Sequence, residues 1–497
     1  MNIKRAGEEI KNTVRAYLEL DEDGKSLIPI ARQRPILLIG PPGIGKTDIV
    51  KQVAASLDIP ILSYTMTHHT RQSVMGLPYI DKDQFQGQEF QITSYTMSEI
   101  IASVYKMMKE TGREHGILFI DEINCVSETL APVMLQFLQE KKFGNTKLPE
   151  GWIIVAAGNP QEYNRAVREF DVATLDRVRL INVEPDYKTW KEYAGKAGIH
   201  RSIQTYLGQK EENFYKIETT VDGKRFVTAR GWEDLSNILK AYERLGIGLD
   251  ESIVEEYIQH SETAIDFANY LELYAKYEKM IDMQQVLEAK LGQETIAKVA
   301  EASFDEKISI VSLLLGTLDI DFRSYYLKDK ATGLVFEDIK SLKKNSLSSL
   351  SDAIKIREDQ LLKKRKGGMI DRDDELIYDE LIAMLKELND MALDQSDDEA
   401  AMKSIEEGFY SMSDEVEAAI EKLNRELENA YDFADQAFGL GPEMVLFITE
   451  LSAGFYSLYY LKDNGSERFY KYNSIMLKDS GREDCINSID QKLASMI

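Results

Sequence analysis

The chain has 497 residues, of which 43% are hydrophobic and 29% are charged. This length predicts about two to four domains. The composition is that of a globular protein with enough apolar material for a core, and it excludes a largely disordered chain. The formal net charge of −25 disfavours a general nucleic-acid-binding surface, because acidic proteins repel phosphate backbones.

The sequence also bears on location. No apolar run approaches the length of a bilayer-spanning helix, and no apolar segment follows the charged N-terminus as it does in a signal peptide. The two cysteines, Cys125 and Cys485, are too few for a disulfide framework or a Cys-rich metal site. We therefore expect a cytoplasmic protein without a membrane span.

The first predicted elements are a helix, a strand and a second helix. Apolar spacing over residues 5–20 predicts an amphipathic helix, and it recurs over residues 47–57. The apolar run at 35–40 predicts a short buried strand. A glycine-rich loop joins this strand to the second helix and consists of Gly40, Pro41, Pro42, Gly43, Ile44, Gly45, Lys46 and Thr47.

This loop carries the strongest chemical signal in the sequence. Its glycines allow backbone N–H groups to turn inward around phosphates, and the following helix adds the positive end of its dipole. Lys46 places a positive charge on the β- and γ-phosphates, and the Thr47 hydroxyl is expected to bind Mg²⁺. The strand, loop and helix together predict binding of a nucleoside triphosphate, which we take to be ATP with Mg²⁺.

Further strands alternate with helices after the loop. The strands are predicted at 59–64, 116–120, 152–157 and 179–183, and the longer helices at 98–111 and 126–141. Such alternation is typical of a doubly wound parallel sheet.

Two of these strands end in polar residues. Asp121 and Glu122 follow the apolar strand at 116–120, and Asn159 follows the one at 152–157. A carboxylate at the end of a strand beside a phosphate-binding loop can hold Mg²⁺, so Asp121 is a predicted metal residue together with Thr47. Glu122 is the predicted catalytic base or water-positioning group, and Asn159 is placed to orient the same water.

The rest of the chain is predicted to be mainly helical. Residues 186–330 contain one predicted hairpin, with strands at 214–217 and 224–227 around Asp222 and Gly223. Residues beyond 330 are highly charged and favour helix. Two amphipathic helices are predicted at 416–438 and 443–461, separated by a Gly-Leu-Gly-Pro sequence.

Taken in order and spacing, the motifs resemble those of the AAA+ ATPases. Within that group they resemble the MoxR-type ATPases, which are related to the motor subunits of magnesium chelatases. The resemblance covers roughly residues 30–290 and rests on the segments 40–47, 118–124, 148–152, 157–160, 175–177 and 228–232.

The resemblance implies roles for three further side chains. Asn159 corresponds to the polar sensor-1 residue and Arg230 to the sensor-2 arginine of the helical lid. Arg177 corresponds to the arginine finger that reaches the ATP of a neighbouring subunit, although Arg165, Arg168 and Arg179 lie close enough in sequence to compete for that role. The family motif usually ends Asp-Arg-Phe and here reads Asp-Arg-Val; the guanidinium that acts is retained.

The implied fold is α/β, with three domains. They are an AAA+ P-loop domain with a doubly wound parallel sheet at 1–184, a helical lid at 185–330 and an additional all-α C-terminal region of unassigned role at 331–497. The branch also carries two hairpin insertions, which correspond here to 77–93 and 142–152. Either hairpin is also compatible with an ordinary surface hairpin.

The implied function is Mg²⁺-dependent ATP hydrolysis by a ring, expected to be a hexamer, that remodels or assembles a protein client. Relatives of this type often act with a separate partner that contains a von Willebrand factor A domain. Two alternatives remain at the sequence level: a nucleic-acid motor of helicase-like or restriction type, which the acidic charge disfavours, and a nucleotide-gated scaffold, which intact Glu122, Asn159 and Arg177 disfavour.

Overall fold

The computed structural model describes residues 1–480, except 86–87, 164–166, 168–169, 222, 249, 344–348 and 396. The chain divides into two compact units. The first contains Met1–Asp186 and Ile356–Glu375, and the second contains Tyr187–Lys355 and the chain from Leu376 onward.

The strands of the described residues fall into one large sheet and three hairpins. In chain order they are β1 (Ile36–Ile39), β2 (Ile61–Thr65), β3 (Pro78–Phe85), β4 (Gln88–Tyr95), β5 (Gly116–Asp121), β6 (Lys142–Phe143), β7 (Thr146–Lys147), β8 (Trp152–Gly158), β9 (Arg179–Asn182), β10 (Lys216–Thr220) and β11 (Gly223–Val227).

Helices make up most of the remaining described structure. They are α1 (Ile3–Leu18), α2 (Lys46–Ser56), α3 (Arg71–Met75), α4 (Glu99–Thr111), α5 (Ala131–Glu140), α6 (Val172–Leu175), α7 (Tyr187–Lys196), α8 (Arg201–Gln209), α9 (Ala229–Leu245), α10 (Glu251–Tyr257), α11 (Ser261–Met280), α12 (Met283–Leu287), α13 (Gln293–Glu301), α14 (Phe304–Lys343), α15 (Leu350–Gly367), α16 (Arg372–Leu393), α17 (Asp398–Phe438), α18 (Pro442–Ala453), α19 (Phe455–Asn464) and α20 (Glu467–Ser480).

The sheet of the first unit is parallel and has the strand order β2-β5-β8-β1-β9. The order differs from the chain order, so the connections cross over and carry helices, as parallel strands require. The three central strands are almost completely buried, which explains why they read as continuous apolar runs rather than as alternating patterns. The predicted α/β class is confirmed.

The core of this unit lies between the sheet and its helices. Leu37, Leu118 and Ile154 on the central strands are buried in the same apolar cluster as Val104 of α4 and Phe137 of α5. The predicted helix at 126–141 is shorter in the structure, because α5 begins only at Ala131, after a loop that follows the end of β5. That loop carries several of the polar residues discussed below.

The predicted hairpins are present where the structure describes them. The segment 77–93 forms β3 and β4, and the segment 142–152 begins with the short pair β6 and β7. The lid hairpin forms as β10 and β11, whose first strand starts two residues later than predicted. Asp222, which is named in the prediction of the lid hairpin, lies outside the described residues.

The second unit contains helices from both sides of residue 330. Trp232 of α9 is fully buried in a cluster with Tyr206 of α8 and Phe267 of α11. Ile308 of α14 belongs to the same cluster, and Leu446 of α18 packs against it. The predicted domain boundary at 330 falls inside α14, which runs without interruption from Phe304 to Lys343. The three-domain division stays a prediction.

The helix predicted at 443–461 is broken at Gly454 into α18 and α19. Among the described residues, no single helix combines the length and apolar character needed to cross a membrane; α18 and α19 meet that test only as a pair, bent by 83°.

A stability prediction follows from the burial of Trp232. Its indole Nε1 donates to the carbonyls of Asn213 and Phe214 at 3.3 and 3.2 Å, so Trp232→Ala removes both packing and hydrogen bonds. We expect the free energy of unfolding of the second unit to fall by about 3–5 kcal/mol, measured by urea unfolding followed by far-UV circular dichroism. Leu245→Ala at the exposed end of the same helix is the control and should change it by less than about 0.5 kcal/mol. Equal effects of the two changes would contradict the assigned core.

Candidate nucleotide-binding site

The predicted site residues of the first unit meet at one edge of its sheet. β1, β8 and β5 are neighbours in the sheet, and the loop 40–47, Asn159 and Asp121 follow or end these three strands. The carboxyl ends of parallel strands lie on the same edge of the sheet, which is where open α/β folds bind ligands. The topology therefore explains how residues far apart in the chain become neighbours, as the contact between Lys46 and Asn159 shows.

The loop has the backbone geometry that its glycines predict. Gly43 and Gly45 have φ angles of +73° and +85°, in the left-handed region that glycine adopts without steric cost. Gly45 is the N-cap of α2, and no side chain caps this helix end. The first N–H groups of a helix have no partner within it, so the start of α2 offers donors and a positive dipole end to an anion.

The Lys46 ammonium is buried within the loop and bonded to it. Its Nζ donates to the carbonyls of Gly40 and Pro41, each at 2.7 Å, and to Oδ1 of Asn159 at 2.8 Å. An ammonium has three N–H donors, and three oxygens lie within hydrogen-bonding distance. These oxygens carry no formal charge, and they fix the ammonium between β1 and β8.

The predicted metal pair is also assembled. Thr47 Oγ1 donates to Asp121 Oδ2 at 2.8 Å, which joins the start of α2 to the end of β5. A hydroxyl and a carboxylate are both oxygen ligands of the kind that Mg²⁺ takes together with phosphate oxygens and water. The donor set and its position beside the uncapped end of α2 fit a magnesium–triphosphate complex.

Glu122 lies beside this pair in a strained backbone conformation. Its φ is +54°, which is uncommon for a residue other than glycine and tends to occur at functional sites. Its N–H donates to Asp121 Oδ1 at 2.9 Å. Its carboxylate accepts a hydrogen bond from Thr67 Oγ1 at 3.1 Å, so a residue just after β2 fixes the direction of this side chain.

Sequence reasoning missed Thr67 and Asn124 as parts of the site. Asn124 Nδ2 donates to the main-chain carbonyl of Asn159 at 2.8 Å. Thr67 follows the end of β2 and Asn124 follows the end of β5, and that position was the available signal. A lone Thr or Asn in a loop is too common for this signal to single them out without coordinates.

The candidate arginines differ in their surroundings. Arg177 follows α6 and is exposed to solvent. The hydrogen bonds of Thr174, and to a lesser extent the charge of Arg177, hold the pKa of Asp171 below its usual value. Arg179 is instead bonded to Glu9 and Thr13 of α1. Arg165 and Arg168 lie outside the described residues.

Arg230 belongs to the second unit, where it occupies the first turn of α9 and is exposed. The helix begins at a well-formed cap, because the Thr228 side chain accepts a hydrogen bond from the N–H of Gly231 at 3.2 Å. The structure therefore places Arg230 at a helix start and leaves its role in the site a prediction.

Cys125 adjoins the acidic residues but is not an activated thiol. Burial raises its pKa, and the negative charges of Glu122 and Asp121 raise it further. A raised pKa keeps the thiol protonated and therefore weakly nucleophilic. In the described parts of the chain, no group of three or more His, Cys, Asp or Glu side chains is arranged to hold a metal ion.

Comparison with known proteins assigns this region. Residues 36–177 match the model of the family described as "ATPase family associated with various cellular activities (AAA)". This region of the chain is an AAA ATPase domain. The match begins at β1 and ends at Arg177, so it includes the phosphate-binding loop and its strand-end partners. ATP hydrolysis is the activity that the assignment implies for the domain.

Individual relatives are distant. The chain is 30% identical over 242 residues to the "ATP-dependent zinc metalloprotease FtsH 2" of Methylacidiphilum infernorum (isolate V4), covering 44% of this chain and 34% of that protein. The chain thus spans about a third of the curated relative that it matches. The solved structure of a mutant of RuvB from Thermotoga maritima is 14% identical over 59% of this chain and 75% of that one, with a TM-score of 0.28, a value too low to establish a shared overall arrangement.

Proposed function

We propose that this chain is a Mg²⁺-dependent ATPase of the MoxR type that works as a ring and remodels or assembles a protein client. The observation that carries the hydrolytic part is the cluster at the strand ends. A cation bonded to an amide, a hydroxyl bonded to a carboxylate, and a second carboxylate bonded to Thr67 lie there, with hydrogen bonds of 2.7–3.1 Å. Each of these groups has a use in the cleavage of a phosphoanhydride.

In the proposed reaction, water attacks the γ-phosphorus of ATP, and the bond between the γ-phosphorus and the bridging oxygen breaks to give ADP and inorganic phosphate. Lys46 and the N–H groups at the start of α2 bind the phosphates. Thr47 and Asp121 would hold Mg²⁺, which would supply positive charge against the negative charge that develops on the phosphates. These residues act mainly by position and charge.

Glu122 acts on the attacking water. A carboxylate can accept the proton of that water or orient it, and Glu122 lies one residue beyond the metal carboxylate Asp121. Thr67 fixes the carboxylate through its hydroxyl. Asn159 is bonded to Lys46 through Oδ1, so its amide nitrogen is the part of that side chain left to meet the water or the γ-phosphate.

Arg177 is proposed to act on the ATP of a neighbouring subunit. Its exposure suits a group that reaches another chain, whereas Arg179 is held by α1 within its own subunit. A guanidinium supplied from a second subunit stabilises the charge of the transition state only in an assembly, which supports a ring, with a hexamer as the expected size. Arg230 is proposed to bring the helical lid onto the γ-phosphate.

The client is proposed to be a protein, approached through the hairpin formed by β3 and β4. This hairpin presents exposed apolar side chains, among them Tyr79, Ile80 and Ile92. Exposed apolar side chains suit protein contacts better than phosphate backbones. We also propose a separate partner with a von Willebrand factor A domain, and only the resemblance to MoxR-type ATPases supports it.

The nucleotide site is tested by Lys46→Ala. A hydrogen bond to a charged group contributes about 1.5–3 kcal/mol, so ATP affinity should fall by at least about tenfold and turnover should be lost. Fluorescent-nucleotide titration and phosphate release measure the two effects. The control is Lys51→Ala on the same helix, whose ammonium is exposed and pairs with Asp48 at 3.7 Å. Unchanged turnover in Lys46→Ala would show that the loop does not hold the substrate.

The trans role of Arg177 is tested by mixing two inactive variants. Arg177→Ala binds ATP but lacks the finger, and Lys46→Ala keeps the finger but lacks the phosphate contact. Random mixing at equal amounts should restore roughly a quarter of the wild-type rate, because one interface in four combines an intact loop with an intact finger.

The control replaces the second partner with Lys46→Ala/Arg177→Ala, which supplies no guanidinium and should restore nothing. Equal activity of the two mixtures would rule out a trans role for Arg177 and would leave Arg165 or Arg168 as the finger.

A further inference from the structure

Asn124 lies in the loop after β5, two residues beyond Glu122. Its side chain is only 5% exposed, although it is polar and occupies a loop rather than a strand or helix. Its neighbour Ile123 donates its N–H to the carbonyl of Ala157 at 3.0 Å. This backbone hydrogen bond already connects the loop to the end of β8, and the Asn124 side chain adds a second connection.

The Asn124 amide forms the second link between the two strand ends. Nδ2 donates to the carbonyl of Asn159 at 2.8 Å, and the side chain of the same Asn159 accepts from Lys46 at 2.8 Å. The main-chain carbonyl of Asn159 is thus bonded to Asn124 in the loop after β5, and its side chain is bonded to Lys46 in the phosphate-binding loop. The path from Asn124 through Asn159 to Lys46 joins the groups proposed to act on water and on phosphate.

The space for this amide is closely fitted. A Cβ atom added to Gly158 would lie 2.6 Å from Asn124 Oδ1, so only glycine at position 158 leaves the amide where it is. Among the described residues, that oxygen has no hydrogen-bond partner, although it is buried. Leaving a buried polar atom unsatisfied costs stability, and an apolar side chain of the same shape would avoid that cost.

We propose that Asn124 is a positioning residue, whose amide fixes the main chain of Asn159 and thereby the direction of the Asn159 side chain in the hydrolytic site. The inference rests on the proposed function, because it gives Asn159 a part in ATP turnover. It assigns Asn124 no contact with the substrate. The site uses the Nδ2 donor of Asn124. The Oδ1 atom of the same amide is left without a hydrogen-bond partner as a consequence.

The test is Asn124→Leu, which keeps the shape of the side chain and removes its donor. We expect kcat to fall about tenfold while the KM for MgATP stays within about twofold, since the phosphate contacts of Lys46 are intact. The melting temperature should change little, because the substitution removes the unsatisfied Oδ1 but leaves the carbonyl of Asn159 without its donor. Gly158→Ala, which displaces the amide from the other side, should give the same kinetic pattern. Gly195→Ala is its control, because an added Cβ there would approach no closer than 3.9 Å to its nearest neighbour.

A purely structural role is separated from positioning by a double-mutant cycle. If Asn124 acts through Asn159, Asn124→Leu should have little further effect on kcat in an Asn159→Ala background, measured by single turnover with excess enzyme. The proposal is overturned if the two substitutions lower kcat by independent factors that multiply in the double variant. It is also overturned if Asn124→Leu raises KM as well as lowering kcat.

Hydrogen exchange tests the geometry without reference to turnover. Asn124→Leu should reduce the protection of the Ile123 amide by roughly fivefold, as the second link between the strand ends is lost. If the wild type binds MgATP without hydrolysing it, the proposed function fails, and the exchange result alone then decides whether Asn124 holds the strand end. Unchanged protection would overturn that claim as well.

Discussion

The site depends on a buried ammonium held by neutral oxygens. Burial of a charge is costly unless its donors are satisfied, and Lys46 meets this condition through two carbonyls of its own loop and the amide oxygen of Asn159. These bonds fix the loop against the end of β8. The positive charge is thereby placed at the start of α2, where the helix dipole and the uncapped N–H groups already favour an anion.

The parallel sheet extends this arrangement to the acidic residues. Because β5, β8 and β1 are adjacent and point the same way, a residue at the end of each strand lies close to its counterparts. Thr47 and Asp121 are bonded across this edge, and the carboxylate of Glu122, a residue with a positive φ, is bonded to Thr67 beyond the end of β2. The sheet is therefore the scaffold for the chemistry, and the loops supply the groups.

Much of this could be predicted from the sequence. The spaced glycines predicted the phosphate-binding loop, because strand, loop and helix follow one another in the chain. The apolar runs before Asp121 and Asn159 likewise predicted strands that end in polar residues. The break at Gly454 was not predicted, since apolar spacing continues across it.

The contacts of residues 356–375 were not predictable either. Lys364 pairs with Asp58 at 3.0 Å, which brings part of a charged helical region into the first unit. That contact depends on a fit between distant segments that no local pattern records. Thr67 and Asn124 were missed because a single Thr or Asn in a loop is too common to stand out in a sequence.

We propose that this cluster hydrolyses ATP and that Glu122 acts on the attacking water. The most direct measurement compares MgATP binding and phosphate release in Glu122→Gln with those in Glu114→Gln, an exposed change just before the other end of the same strand. We expect that Glu122→Gln binds MgATP with wild-type affinity while its turnover falls by about 10²-fold or more, and that Glu114→Gln behaves as the wild type. Wild-type turnover in Glu122→Gln would show that Glu122 does not act on the water.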